Sequence, residues 1–176
     1  MSELKDCWLA EHVRTDSFTW KKLISRLIKN KENRNFYFWW RLANEMFLHG
    51  NKNQIKVAKK IQYKLISKYN VDIELGAKIG KGLWIVHYSS IIITKTASIG
   101  ENFTCFQGVT IGFAKNPYKI VIGNNVNMGA YSMILGGQVN IGNNVFIGAM
   151  SFVNKDIPDN CTVYTEKKNL IIKAHS

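Results

Sequence analysis

The sequence lacks any run of about 18 apolar residues, the length that a membrane-spanning helix requires. Cysteine is scarce, and Cys7, Cys105 and Cys161 lie far apart without a CxxC spacing. Such a set predicts reduced thiols in a cytoplasmic protein and gives no signal for zinc. The opening segment MSELKDCWLAEHVRTD carries charges of both signs and no secretory apolar region, so we expect no export.

Acidic residues are also scarce, since 12 Asp and Glu stand against 24 Lys and Arg and leave a net charge of +12. Residues 1–70 hold 15 basic and 6 acidic residues, or +9, whereas residues 71–176 hold 9 and 6, or +3. A basic half of this kind can meet nucleic acid, anionic lipid, a polyanionic sugar or a phosphorylated cofactor. Because no nucleic-acid motif accompanies it, we expect no nucleic-acid partner. A solvated helix face and a peripheral contact with an anionic membrane surface both stay open.

Residues 1–70 have the pattern of amphipathic helices. Three segments carry it: TWKKLISRLIKN, FYFWWRLANEMFLHG and NQIKVAKKIQYKLISKYN. The second ends at Gly50, a residue typical of helix C-termini. In the third, apolar residues share one face while the lysines lie elsewhere, so this helix is expected to pack on another part of the molecule.

From Val71 onward a six-residue period replaces the helical one. The phrases IGKG, IGEN, IGNN, MGAY and IGAM are copies of one pattern. Its apolar position recurs at Ile73, Ile79, Ile85, Ile91, Ile99, Cys105, Ile111, Ile122, Met128, Ile134, Ile141 and Ile147. A six-residue unit makes one short strand and a corner, and three units close a triangular coil that pairs with the next coil. The period therefore predicts a parallel β-solenoid over residues 71–165, followed by a tail over residues 166–176.

The repeats resemble those of the hexapeptide-repeat acyltransferases, in the serine acetyltransferase-like branch. That branch includes acetyltransferases of capsule, colanic-acid and O-antigen synthesis. The resemblance is carried by WRLANEMFLHGN, by VDIELGAKIGKGLWIVHYSSIIITKTASIGENFTCFQGVTIG and by IGNNVNMGAYSMILGGQVNIGNNVFIGAMSFVNKDIPDN. It implies a left-handed β-helix, a homotrimer with active sites between neighbouring subunits, and acetyl-CoA as co-substrate without a metal.

The candidate catalytic base is His87. Acetyl transfer from a thioester to a hydroxyl requires a base for the hydroxyl proton and donors for the developing oxyanion. Of the four histidines only His87 lies within the repeats, in GLWIVHYSSIII. The resemblance assigns the matching histidine of the family's GxxxxHxxxIxI pattern as the general base, although a lone histidine in a strand is more often structural. Serine acetyltransferases carry an aspartate directly before it. Here that residue is Val86, so Gln107 or a backbone carbonyl is expected to orient the ring.

Counting three repeats to a coil predicts which residues stack above the candidate base. Since three repeats make one coil, the stacked core positions are Ile85, Cys105, Met128 and Ile147. Two residues further on, one outward column is expected at His87, Gln107, Ala130 and Ala149. A pantetheine arm laid along this column would bring its thioester to the base. The resemblance assigns coenzyme A contacts to Gly129, Ala130, Gly148 and Ala149. Small residues also suit the corners of a solenoid, so a purely structural role for these four residues stays open.

The regular spacing is interrupted between Ile111 and Ile122, where an insertion forms a predicted loop over residues 112–121. Inserted loops on solenoids usually serve binding. In serine acetyltransferases this loop reaches a neighbouring active site and carries a second histidine. Lys119 stands at that position, beside Tyr118, so both are candidate acceptor contacts. In the tail, Lys167 and Lys168 are candidate partners of the cofactor's phosphates or an ordinary solvated pair.

The departures at Val86 and Lys119 predict a sugar O-acetyltransferase acting in surface polysaccharide synthesis, with a glycan or other small-molecule acceptor. Serine O-acetyltransferase is the nearest alternative, and sugar N-acetylation is a third. A γ-type carbonic anhydrase shares the solenoid, but it requires three histidines on zinc and the repeats hold one. A non-catalytic scaffold is the remaining alternative.

Overall fold

The computed structural model describes residues 2–29, 35–112 and 119–166. Four α-helices and one π-helical turn come first. They are α1 (Ser2–Trp8), the π-helical turn (Leu9–Val13), α2 (Trp20–Lys29), α3 (Asn35–His49) and α4 (Lys52–Tyr69). The three predicted helices are present as α2, α3 and α4, whereas the helix that opens the chain was not predicted. No helix in this part of the chain is both long and apolar enough to span a bilayer.

The remainder of the described chain forms short parallel strands. They are β1 (Val71–Ile73), β2 (Lys78–Ile79), β3 (Trp84–Ile85), β4 (Ile91–Ile93), β5 (Ala97–Ile99), β6 (Thr104–Cys105), β7 (Thr110–Gly112), β8 (Lys119–Ile122), β9 (Asn127–Met128), β10 (Met133–Leu135), β11 (Gln138–Ile141), β12 (Phe146–Ile147), β13 (Phe152–Val153) and β14 (Thr162–Val163). Every third strand pairs, which gives three parallel sheets in the orders β1-β4-β7-β10-β13, β2-β5-β8-β11 and β3-β6-β9-β12-β14. The predicted parallel solenoid is confirmed, and it is consistent with a left-handed β-helix.

Ladders of buried apolar side chains fill the solenoid. In the third sheet, the registers stack Ile85 on Cys105, Cys105 on Met128 and Met128 on Ile147, as the count of three repeats to a coil predicts. In the first sheet the ladder departs from the predicted phase, because Ile93 rather than Ile91 pairs with Ile111. The step from Ile85 to the next ladder position is therefore two residues longer than predicted.

The helical region is fastened to the first coil by polar contacts that are buried. Arg41 of α3 and Glu11 of the π-helical turn form an ion pair with 2.6 Å between Nη2 and Oε1. The same carboxylate accepts a hydrogen bond from the main-chain nitrogen of Leu83, and the guanidinium donates to the carbonyl oxygens of Ile79 and Gly80. Because both charges are buried, these contacts fix the position of the helices on the solenoid.

The cysteines are unpaired thiols. Burial raises the pKa of Cys7 to about 11 and that of Cys105 to about 12, so both stay protonated at neutral pH. Cys161 is half-buried near the end of the described chain. Buried and with raised pKa values, neither Cys7 nor Cys105 has the environment of a nucleophile, which requires a lowered pKa and access to solvent.

Candidate active site

The two extra residues of the first coil form the corner that carries His87. Ile85 pairs with Cys105, and the amide of Val86 donates to the carbonyl of Cys105, so the coils are in register up to that point. Register resumes at Ser89, whose carbonyl accepts from the amide of Gly108. His87 and Tyr88 therefore have no counterparts in the coil above and protrude from the corner.

This geometry corrects the predicted column. Gln107, Ala130 and Ala149 do share one column, since Tyr131 donates to the carbonyl of Gln107 and Met150 to that of Ala130. In the first coil, however, the position below Gln107 belongs to Ser89. The His87 ring is exposed at the corner and lies 6.1 Å from the Phe106 ring, centroid to centroid, in an edge-to-face arrangement. None of the described residues hydrogen-bonds its ring nitrogens.

Tyr88 anchors the protruding corner from within. Its ring packs against Phe36, Tyr37 and Tyr69, with centroids 5.7, 6.2 and 5.7 Å away. The Tyr37 hydroxyl accepts a hydrogen bond from the amide of Ile85 at 2.8 Å. Burial is the largest cause that raises the pKa of both phenols, so both stay neutral. The helices α3 and α4 thus hold the corner on which the base candidate stands.

Above this corner runs a strip of glycine and alanine residues, which we call the trough. It consists of Gly129, Ala130, Gly148 and Ala149. The two glycines are buried, and a side chain on either would collide with the next coil. A Cβ on Gly129 would lie 2.6 Å from the nitrogen of Ala149, and one on Gly148 would lie 2.2 Å from the Tyr164 ring. The glycines are therefore required for coil stacking, as expected if small residues serve the solenoid corners. The two alanines provide the accessible surface.

The trough is bounded by large side chains. Phe106 lies beside His87 at its lower end, and Tyr164 lies at its upper end. Tyr131 and Met150 follow the two alanines in sequence and stand exposed along one edge. Since coils are about 4.8 Å apart, the two upper coils give a strip on the order of 10 Å tall. That length suits part of an extended chain such as pantetheine.

Gln107 supplies the unsatisfied polar group of this corner. Its Oε1 atom is buried and has no hydrogen-bond partner among the described residues. A buried acceptor without a donor costs roughly 1–3 kcal/mol, so a ligand N–H or O–H that reaches it would bind favourably. The residue was predicted to orient His87, but the structure shows no hydrogen bond between the two side chains.

The other predicted contacts lie elsewhere. Lys119 begins β8 and is exposed, and its amide donates to the carbonyl of Gly137 at 2.8 Å. It follows the corner between the first and second sheets, whereas His87 lies at the corner between the third and first. Within one chain the two are therefore not brought together. Tyr118, Lys167 and Lys168 lie outside the described residues.

The corner and the coils above it thus offer an exposed imidazole, a buried acceptor without a donor and a strip of small residues. No group of three or more His, Cys, Asp or Glu side chains in the described ranges is arranged to hold a metal ion. The imidazole can take a proton from a ligand hydroxyl, and the trough can hold an extended acyl carrier. Sequence reasoning missed the protruding corner and its Tyr88 anchor.

The chain is similar in sequence to curated serine acetyltransferases. The enzyme of Staphylococcus epidermidis is 42% identical over 117 residues, which are 64% of this chain and 54% of that protein. The enzyme of Staphylococcus aureus is 37% identical over 125 residues, or 68% of this chain and 58% of that protein. The chain thus spans a little over half the length of these curated relatives. No protein-family model matches it.

The fold is similar to solved serine acetyltransferases. The Neisseria gonorrhoeae enzyme in complex with serine aligns with a TM-score of 0.76 and 27% identity, covering 94% of this chain and 68% of that one. None of these relatives is named for polysaccharide synthesis, so the resemblance to capsule and O-antigen enzymes gains no support from them. The likeness in sequence and fold supports an acyltransferase of the hexapeptide-repeat kind.

Proposed function

We propose that the protein is an acetyl-CoA-dependent O-acetyltransferase with His87 as its general base. The observation that carries the proposal is the position of this imidazole, exposed on a protruding corner at the foot of the trough. The described residues fit the co-substrate in two respects. The trough is free of large side chains along its surface, and Gln107 Oε1 is a buried acceptor that lacks a donor.

The chemistry follows from the imidazole. Acetyl-CoA supplies an activated acetyl group as a thioester. His87 accepts the proton of the acceptor hydroxyl as the oxygen bonds to the thioester carbonyl carbon. The carbon–sulfur bond then breaks, and the imidazolium returns its proton to the departing thiolate. Acetyl ester and free thiol are formed, the base is regenerated, and no acyl-enzyme is required. Main-chain amides of the repeats are the expected donors to the oxyanion.

L-serine is the acceptor that the comparisons favour, because the relatives are named serine acetyltransferases. One observation favours a neutral sugar hydroxyl instead. An amino-acid acceptor carries an ammonium group, which is bound best by a carboxylate. Val86 stands at the position where serine acetyltransferases carry an aspartate. Neither Gln107 nor Ser89 at the same corner can supply a negative charge. A carboxylate for serine would therefore have to come from a neighbouring subunit.

A homotrimer is the assembly that we propose, with each site in the crevice between two solenoids. Exposed apolar residues line the outer face of the first sheet, where Ile92, Met133 and Phe152 stand in one outward column. A neighbouring solenoid would bury them. Light scattering should then give a mass of about 60 kDa, three times the 20.1 kDa chain. Free thiols and acetyl-CoA chemistry favour a cytoplasmic location.

An acceptor comparison tests the proposal. Thiol release from acetyl-CoA is followed with L-serine, with neutral sugars and with amino sugars, and the products are weighed by mass spectrometry. Saturable release with any hydroxyl acceptor and a product heavier by one acetyl group support the proposal. Failure to bind acetyl-CoA in calorimetry would overturn it and leave a non-catalytic scaffold. Acetylation at nitrogen in preference to oxygen would overturn the assigned reaction.

A further inference from the structure

Helix α2 leaves half of its apolar face without a partner. Leu23 is buried and Leu27 packs beside it against the small core formed with the first helix and α3. On the adjoining side, Trp20, Ile24 and Ile28 recur every four residues and are 53%, 54% and 79% exposed. Trp20 packs one side of its ring edge-to-face on Trp8 and Phe18 and keeps the other half exposed. Residues four apart lie on one side of a helix, so these three form a continuous apolar ridge in contact with solvent.

A groove of positive charge borders this ridge, because Lys21 adjoins Ile28 on the helix surface, and it continues round α2. It is lined by Thr15, Lys21, Lys22, Ser25, Arg26 and Lys29. Among the residues that the structure describes, no acidic side chain lines this groove, and α2 itself contains none. The carboxylates of Asp6 and Asp16 line a neighbouring hollow that shares Thr15 with the groove. Four cations and two hydroxyls line the groove beside the apolar ridge.

We propose that α2 docks the protein on the surface of an anionic lipid bilayer. The helix would lie in the plane of the interface, with Trp20, Ile24 and Ile28 inserted among the acyl chains. The cations on its flanks would meet lipid phosphates, as in other interfacial helices that combine an apolar face with Lys and Arg. Indole rings prefer this depth of a membrane, which suits a half-exposed tryptophan at the start of the ridge.

Two other occupants fit the surface less well. A free phosphate or other small anion would use the groove but leave the apolar ridge in water. A second copy of α2 would cover the ridge, but a two-fold contact would bring four cations of one chain against four of the other. An anionic bilayer complements both halves of the surface, the apolar ridge and the cationic groove.

Vesicle co-sedimentation of the full chain tests the proposal. Vesicles of phosphatidylcholine alone are compared with vesicles that contain phosphatidylglycerol as a third of the lipid. The wild-type protein is expected to bind the anionic vesicles and not the neutral ones. Ile24→Ser/Ile28→Ser should lower the partition coefficient at least about tenfold, since the inserted side chains are lost. Lys21→Gln/Lys29→Gln removes two exposed cations of the groove and should lower it by a similar factor, at about fivefold per cation.

Helix α4 provides matched controls. Val57→Ser/Tyr63→Ser removes two apolar side chains that are 47% and 73% exposed, and Lys56→Gln/Lys60→Gln removes two exposed cations. Both variants should bind anionic vesicles as the wild type does. All four variants should keep the acetyl-transfer rate on soluble acceptors, because none of these residues lies near the His87 corner.

Three outcomes would overturn the proposal. The first is wild-type protein that stays in the supernatant with both kinds of vesicle. The second is an equal loss of binding in the α2 and α4 charge variants, which would show that net charge alone attracts the protein. The third is a change of mass in light scattering for Ile24→Ser/Ile28→Ser without a change in vesicle binding. That result would assign the ridge to a contact between copies of the chain.

Discussion

Removing the carboxylate of Glu11 should destabilise the protein more than any single change on its surface. The side chain is fully buried, and its partner Arg41 is 7% exposed. Two of the carboxylate's hydrogen bonds come from the guanidinium, at 3.0 and 2.6 Å, and one comes from the amide of Leu83 at 3.0 Å. Burial is the largest single influence on the pKa of Arg41 and lowers it, but the charge and hydrogen bonds of Glu11, together with Cys7 and Glu3, leave that pKa above its usual value.

In Glu11→Gln the guanidinium stays charged and buried, but it faces a neutral amide with one acceptor oxygen in place of a carboxylate with two. Removing one member of a buried ion pair typically costs about 3–5 kcal/mol. We expect a loss of that order in the free energy of unfolding, measured by urea denaturation at fixed protein concentration. The double variant Glu11→Leu/Arg41→Met should recover much of the loss, because no unpaired charge then stays buried.

The matched control is Glu101→Gln. Glu101 pairs with Lys81 at 3.5 Å, but both side chains are half exposed. Exposed pairs contribute less than about 1 kcal/mol, so this variant should unfold almost as the wild type does. If Glu11→Gln costs no more than Glu101→Gln, the buried pair does not fasten the helices to the solenoid, and our reasoning about this contact is wrong.

Three further predictions concern the corner and the coils. Tyr88→Phe should keep most of the acetyl-transfer rate. Tyr88→Ala should lower kcat at least about tenfold and retain acetyl-CoA binding, because only this variant removes the ring that anchors the corner. Equal rates in the two variants would refute the anchor. Of the three thiols, only Cys161 should react with iodoacetamide in the folded protein, whereas all three should react in urea. Mass spectrometry counts the labels. Labelling of more than one thiol in the folded protein would contradict the burial of Cys7 and Cys105. Gly129→Ala should lower the free energy of unfolding by about 1–3 kcal/mol, because its Cβ meets the main chain of the next coil. Gly112→Ala is the control, since its Cβ would make only contacts of 3.4 Å or more. Equal stability of the two variants would refute the stacking role.

The solenoid could be predicted from the sequence because its period repeats many times with the same apolar phase. A single step escaped prediction. Ile91, Ile92 and Ile93 are all isoleucine, so the apolar pattern offers two phases and counting by six selects the first. The strand pairing places the third isoleucine in register with Ile111. The two residues without a counterpart in the next coil form the protruding corner. The feature that presents His87 was thus concealed in a run of identical residues.

The buried ion pair could not be predicted either, since it joins residues 30 positions apart. A glutamate in a segment of mixed charge is usually solvated, and only the packing of the first helix against α3 brings it to Arg41. The small residues of the trough were identified for their contact with a cofactor. The structure gives the two glycines a second reason, because the coil above occupies the space of their missing side chains.

The central claim is that the imidazole of His87 takes the proton of the acceptor hydroxyl. The most direct test measures steady-state thiol release from acetyl-CoA by wild-type protein and by His87→Ala, with circular dichroism and calorimetry confirming that fold and acetyl-CoA binding are kept. The account predicts a kcat about 10²–10⁴-fold lower in the variant, the usual contribution of a general base. A folded, acetyl-CoA-binding variant with nearly the wild-type kcat would contradict it.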